Sequence, residues 1–290
     1  MWILFACGSA IFAGLTAILA KCGIRKTDSS VATLVRTMVV LLLAWGMAAL
    51  SGSITGISTV SAKSWIFLIL SGLATGGSWL CYYRALQLGT IRQVTPVDKT
   101  STILTILLAC VLFHEPLHLL TWAGVLGFAI GTWLMIRPYS SAAKTKQKAD
   151  SAAWFPWAVG SAGFAALTAI LGKIGISGVN STLGTAIRTC VVLLMAALVV
   201  LCSGKTEAIR RIHKQELGFL LLSGLATGGS WLCYYRALQD GPASVVVPID
   251  KLSVCLTIVF SVVFLKETLS RRMLIGLLLL TGGTLCLAMA

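Results

Sequence analysis

Apolar runs of roughly 18 to 23 residues recur along the whole chain, and a helix of that length, rising ~1.5 Å per residue, crosses a hydrocarbon core of ~30 Å. Ten runs can be drawn, at about 2–20, 31–50, 65–87, 95–113, 119–137, 154–172, 182–202, 217–239, 247–265 and 272–290. They lack the alternating pattern of a membrane barrel. With 57% of the 290 residues hydrophobic and 11% charged, and a mean hydropathy of +0.93, the polar remainder is too small to cover a soluble globule. The sequence predicts an all-α membrane protein. No positive charge precedes the run from Met1 to Ala20, so it reads as a first membrane helix and not a cleaved secretory signal.

The chain also repeats itself. "SGLATGGSWLCYYRALQ" occupies 71–87 and returns letter for letter at 223–239. The same shift of 152 residues, with no gap, lays "LTAILAKCGI" on "LTAILGKIGI" and "PVDKTS" on "PIDKLS". The duplication divides the chain into a first unit, 1–138, a polar Ser/Ala/Lys-rich linker, 139–152, and a second unit, 153–290.

Five helices per unit is an odd number, so tandem copies cross the membrane in opposite directions and form an inverted repeat, a transporter architecture. The cations test this. Of 23 lysines and arginines, eight are matched between the units: Lys21, Arg36, Arg84 and Lys99 with Lys173, Arg188, Arg236 and Lys251. Fourteen of the rest fall in loops on one side, and only Lys63 falls opposite. By the positive-inside rule that side is cytoplasmic, the linker included, and both termini are extracytoplasmic. The net charge of +14 is then loop charge and does not call for nucleic acid. Nine cysteines scattered singly, without metal spacing, read as helix filling and not as metal ligands.

Two five-helix units, each with "SGLATGGSWLCYYRALQ", a P-x-D-K-x-S motif and an E-x-L before its last helix (Glu115 and Leu117; Glu267 and Leu269), resemble the EamA family of the drug/metabolite transporter superfamily. Each unit also resembles single five-helix members, so the chain looks like a fused pseudo-dimer. The resemblance implies a secondary transporter of small metabolites, without a cofactor, whose third and fourth helices help line the pathway. Family members of ten helices usually have cytoplasmic termini, and the charge count here gives the reverse.

Charges at depth in lipid cost roughly 2.5–3.5 kcal/mol each by insertion scales and ask for a reason. The expected gate and coupling groups are Arg36, Arg84, Asp98 and Lys99, with Arg188, Arg236, Asp250 and Lys251. Each set belongs to one end of its unit, so inversion predicts two charged layers, an inner and an outer gate. Lys21 and Lys173, at helix ends, read more simply as snorkelling to the headgroups. Asp98 has a competing role as the third residue of a helix capped by Thr95, with Pro96 first. In the second unit Val247 stands at the cap position, with no side-chain acceptor. Asp98 and Asp250 are also the candidates for proton coupling.

Between the layers, Thr75, Trp79, Tyr83 and Gln87 share one helix face, as do Thr227, Trp231, Tyr235 and Gln239. Ser101 and Thr105, with Ser253 and Thr257, share the face of the aspartates. Together they suggest a midplane substrate cavity, against the plainer reading of helix packing. Gly72 and Gly76, Gly224 and Gly228, and Gly127 and Gly131 read as close-approach pairs. The HEPLH stretch, 114–118, matches a zinc-protease motif, but Pro116 breaks the helix it needs and the repeat offers Lys266-Glu267-Thr268-Leu269-Ser270 in its place. The reading is therefore a secondary transporter, not an enzyme, in a bacterial inner membrane, moving a small polar organic metabolite by alternating access. The excess of pathway cations favours a carboxylate or phosphate on it. A lipid-carrier flippase and an intramembrane enzyme are the alternatives.

Overall fold

The computed structural model describes residues 1–23, 27–88, 94, 97–113, 119–136, 153–256 and 271–289, and these are largely helical with no strand among them. The first unit contains α1 (Trp2–Gly23), α2 (Ser29–Leu50), a 3-10 helix (Ser53–Thr59), α3 (Ala62–Leu88), α4 (Ser101–Phe113) and α5 (Leu119–Ile136). The second contains α6 (Trp154–Gly175), α7 (Ser181–Cys202), one turn at Thr206–Arg210, α8 (Lys214–Asp240), α9 (Ala243–Lys251) and α10 (Arg271–Met289). Six of them, α1, α2, α3, α6, α7 and α8, are long and apolar enough to cross a membrane, and α5 and α10 contain shorter apolar stretches. The linker and the HEPLH stretch lie outside the described residues.

Local chemistry explains the helix boundaries. Asp28 caps α2 by accepting from the Ser30 N–H, and the repeat-equivalent Asn180 caps α7 by accepting from the Thr182 N–H, both at 2.9 Å. Beyond the far ends of these helices, Gly52 and Gly204 turn the chain at φ 67° and 65°, a region that glycine enters without steric cost. Inside the helices, hydroxyls are satisfied within the turn. Thr37, Thr75, Thr185 and Thr227 each donate to the carbonyl four residues back, which removes the cost of a bare hydroxyl in lipid.

The two units interlock. α1 packs against α8 and α3 against α6, α2 meets α7, and α5 lies along α10. Contacts come in mirrored pairs. A Cβ on Gly72 would stand 2.7 Å from Val191, and one on Gly224 would stand 2.7 Å from Val39; Gly77 faces Phe164 at 3.4 Å as Gly229 faces Phe12 at 3.5 Å. The tightest seam joins α5 and α10, where a Cβ on Gly131 would meet the Gly276 carbonyl and the Leu280 amide at 2.6 Å. The expected glycine pairs therefore work as close-approach surfaces, where dispersion between backbones replaces the hydrophobic effect that lipid cannot supply.

The helices with mirrored contacts also have readable directions. Along α1 and α8, Ser9 meets Ser230 and Thr16 meets Thr227, so the two run antiparallel. Along α2 and α8, Val39 meets Gly224 and Leu43 meets Gly228, so these run parallel.

Candidate functional site

The central site grows from the second and third helices of both units. Arg36 on α2 donates from Nη2 to Thr227 Oγ1 on α8 at 2.9 Å, and Arg188 on α7 donates from Nη2 to Thr75 Oγ1 on α3 at 2.6 Å. Each arginine reaches into the opposite unit. Thr16 and Thr168 stand 3.3 Å behind the two threonines. Trp79 and Trp231, equivalent by the repeat, face each other with ring centroids 6.3 Å apart and planes inclined by 34°.

The surroundings of the two arginines differ. Arg188 is 1% exposed, its guanidinium 5.0 Å from the Trp231 ring centroid and 4.5 Å from that of Tyr235. No carboxylate lies within ion-pairing distance of it among the described residues, so the aromatic faces provide its electrostatic compensation. Arg36 instead borders a cavity of about 100 Å³ walled by Thr33, Thr37, Val40, Trp79, Thr227 and Trp231. A second cavity of about 20 Å³ shares Thr33 and Trp79 with the first and extends past Ser30, Leu80 and Val199.

The P-x-D-K motifs form a separate feature. Ser161 Oγ donates to Asp98 Oδ1 at 2.6 Å, and Ser9 Oγ donates to Asp250 Oδ1 at 2.5 Å. Ser78 and Ser230 complete the two mirrored sets by donating to the backbone carbonyls of Ser161 and Ser9, each at 3.1 Å. Lys251 Nζ is 3.6 Å from Asp250 Oδ2, and Lys99 lies within electrostatic range of Lys251, Asp98 and Asp250. The expectation of two separate charged layers therefore changes: the four groups form one cluster where α4 and α9 approach. The reason is visible in the second unit. α9 starts at Ala243, four residues earlier than the sequence suggested, which carries Asp250 two turns into its helix. The cap residue of α9 is Pro242 and not Val247, the position expected from the sequence. Thr95 and Pro96 fall outside the described residues.

Other anticipated residues are dispersed. Arg84 is exposed, and Arg236 pairs with Asp240 one turn on at 3.1 Å, near the end of α8 and away from the cavity. Lys173 does more than reach for headgroups: its Nζ donates to the Gly241 carbonyl at 3.0 Å, beyond the end of α8, and sits 5.2 Å over the Phe113 ring. Ser101, Thr105 and Ser253 are buried, with Thr105 donating to the Ser101 carbonyl. The side chains of Lys21, Tyr83 and Gln87, and all of Thr257, lie outside the described residues. The sequence reading missed Thr33 and Thr37 on the cavity wall, and Ser9, Ser78, Ser161 and Ser230 around the aspartates. Ser9 and Ser161, Ser78 and Ser230, and Thr37 and Thr189 are identical across the repeat, and that signal could have found them.

The EamA-like transporter family matches residues 1–137 and again 152–289. A Sinorhizobium protein named as an uncharacterized transporter in the cobO 3′ region is 44% identical over 138 residues, covering 48% of this chain and 98% of that protein. An uncharacterized protein of Methanocaldococcus jannaschii is 34% identical over 98 residues, covering 33% of this chain and 69% of its own length. A solved structure titled only as the crystal structure of a protein superimposes with a TM-score of 0.77 at 18% identity, covering 98% of this chain and 94% of that one, and so shares the fold. With a family match to each unit and membrane-length apolar helices, the chain belongs to the EamA-like transporter family.

Proposed function

We propose that the chain carries a small organic anion or zwitterion across the membrane by alternating access, with the Arg36 cavity as the substrate site in the conformation seen here. The observation that carries this reading is the pairing of a walled, arginine-bearing cavity with a repeat-equivalent arginine sealed under aromatic rings. A guanidinium beside hydroxyls and indole faces suits a carboxylate or phosphate on a compact organic body. In the reverse conformation the roles of Arg36 and Arg188 exchange, because the two are equivalent in the repeat and hold equivalent threonines, Thr227 and Thr75.

The mirrored contacts support a layout of ten membrane helices in two five-helix units of opposite direction. α8 runs antiparallel to α1 and parallel to α2, as two units related by an axis in the membrane plane require. The contact between the α1–α2 and α7–α8 connections supports their assignment to one side, which the positive-inside rule makes cytoplasmic. Asp98 and Asp250, each held by a serine hydroxyl, are the coupling groups in this reading. The experiment is a thermal-shift screen of purified protein against carboxylates, sugar phosphates, amino acids, polyamines and carrier lipids, followed by flux in liposomes. A ligand at 100 times its Kd stabilises by about 2.7 kcal/mol. Anion hits that Arg36→Ala abolishes support the reading, whereas hits confined to polyamines or carrier lipids reject it.

A further inference from the structure

The ends of the molecule are fastened by different chemistry, and one fastening lies on the route to the cavity. From the Arg36 cavity, the small second cavity continues along α2 through Thr33 and Ser30, and along α7 through Met195, Ala196 and Val199. Just past these walls, Asp28 caps α2 and Lys205 follows α7. Lys205 Nζ and Asp28 Oδ2 are 2.8 Å apart, with side chains 34% and 31% exposed. Beside them, Thr27 Oγ1 donates to Glu216 Oε2 at 2.6 Å, tying the same connection to the start of α8.

The repeat shows that this fastening is peculiar to one end. The equivalents of Thr27, Asp28, Lys205 and Glu216 are Val179, Asn180, Ser53 and Ser64, none of them charged. At the opposite end the corresponding connection is held by an amide. Gln239 Nε2 donates to the Val179 carbonyl at 2.8 Å, and its Oε1 accepts from the Ser181 N–H at 3.2 Å. A helix cap alone does not explain Asp28, because Asn180 performs the same capping without charge.

We propose that the Asp28–Lys205 ion pair is a latch across the mouth of the passage to the Arg36 cavity, and that it parts when this end opens. It bridges the outer ends of the two helices that wall the passage, so α2 and α7 cannot separate there while it holds. The proposal rests on the transport reading of the cavity, but its test requires no substrate. Thr33→Cys, which places a thiol on the wall shared by both cavities, is introduced into the full chain in proteoliposomes. Its reaction with a small charged methanethiosulfonate is followed at that residue by mass spectrometry, so the native cysteines stay in place.

Adding Asp28→Asn, which retains the cap, or Lys205→Gln should speed labelling about 1.4-fold to fivefold, the scale of shift a partly exposed pair supports. The exchange Asp28→Lys with Lys205→Asp should bring the rate back towards that of the parent. Raising sodium chloride from about 0.05 to 0.5 M should speed labelling of the parent more than that of the Asp28→Asn protein, since screening of every other exposed charge is common to both. That salt comparison decides the matter if the exchanged protein folds poorly. Equal rates in the parent and both single variants, or the same salt response with and without Asp28, overturn the latch. Absence of flux of every screened ligand by the parent, with the labelling pattern as expected, would count against the transport reading instead.

Discussion

Arg36 and Arg188 have the same side chain, equivalent sequence positions and equivalent threonine partners, yet one borders a cavity and the other is sealed. The difference extends to the ends of the molecule. Around Arg188, an apolar cluster of Ile176, Val179, Leu183, Ile187, Tyr235 and Leu238 closes the space towards the 3-10 helix, whose Ile57, with Val60 just beyond it, packs onto it. On the other side, the passage runs between α2 and α7 to a charged connection whose single turn, Thr206–Arg210, buries no residue. Two copies of one design therefore occupy different states within one molecule. A repeat specifies which contacts are available, while the conformation selects which copy makes the tighter set.

The largest test of that comparison is functional. Arg36→Ala and Arg188→Ala should each reduce flux at least about tenfold, which corresponds to ~1.4 kcal/mol on the limiting step, while gel filtration and helicity stay close to the parent. Full flux with Arg188→Ala would break the equivalence of the two copies. A direct comparison of the faces comes next. A thiol at Thr33 should react about tenfold faster than one at its equivalent, Thr185, which is 0% exposed against 6% for Thr33, as expected when local opening governs access. Similar rates would mean that the two sides are equally accessible.

A smaller effect is expected at the amide clasp. Gln239→Ala removes two hydrogen bonds to backbone groups, each worth ~1 kcal/mol, so the melting temperature should fall by a few degrees and the Thr185→Cys thiol should become more reactive. No change in either quantity would assign closure of that end to the apolar cluster alone. The smallest effect concerns pH. Burial raises the pKa of Asp28, but the Lys205 hydrogen bond, the Ser30 and Val31 N–H groups and the Lys205 charge outweigh it, leaving the carboxyl below its ordinary value. A group depressed in the folded state contributes stability that is complete above its unfolded value of ~3.9 and is lost as pH falls through the folded one. The parent should therefore melt slightly above Asp28→Asn at neutral pH, by the 0.2–1 kcal/mol typical of an exposed pair, and the two curves should converge below about pH 4. Convergence already at pH 6 would show that another group titrates.

Much of the architecture was legible in the sequence because membrane helices are set by local rules. Length and apolarity located α1, α2, α3, α6, α7 and α8, and the glycine spacing located the seams between helices. Matching residues across the repeat picked out Arg36 and Arg188, Trp79 and Trp231, and Thr75 and Thr227, and the structure brings these together. The serines around Asp98 and Asp250 were missed because, apart from charges, only polar residues spaced four apart along the third helices or sharing the face of the aspartates were weighed. The early start of α9 was missed because Pro248 looked like a helix opening, whereas the structure accommodates it inside the helix. Arg84 and Arg236 lie near helix ends, where a charge has water within reach.

By itself the sequence determined that the chain is built from two equivalent apolar units and which polar residues they share, because hydropathy, helix caps and repeat identity depend on neighbours along the chain. Tertiary structure decided the rest. It brought Lys99 near Asp250, turned Asp28 towards Lys205, and left space beside Arg36 while closing it around Arg188. Those outcomes depend on packing between residues more than one hundred positions apart, where a shift of a few ångströms opens or fills a cavity and no local pattern records which has occurred.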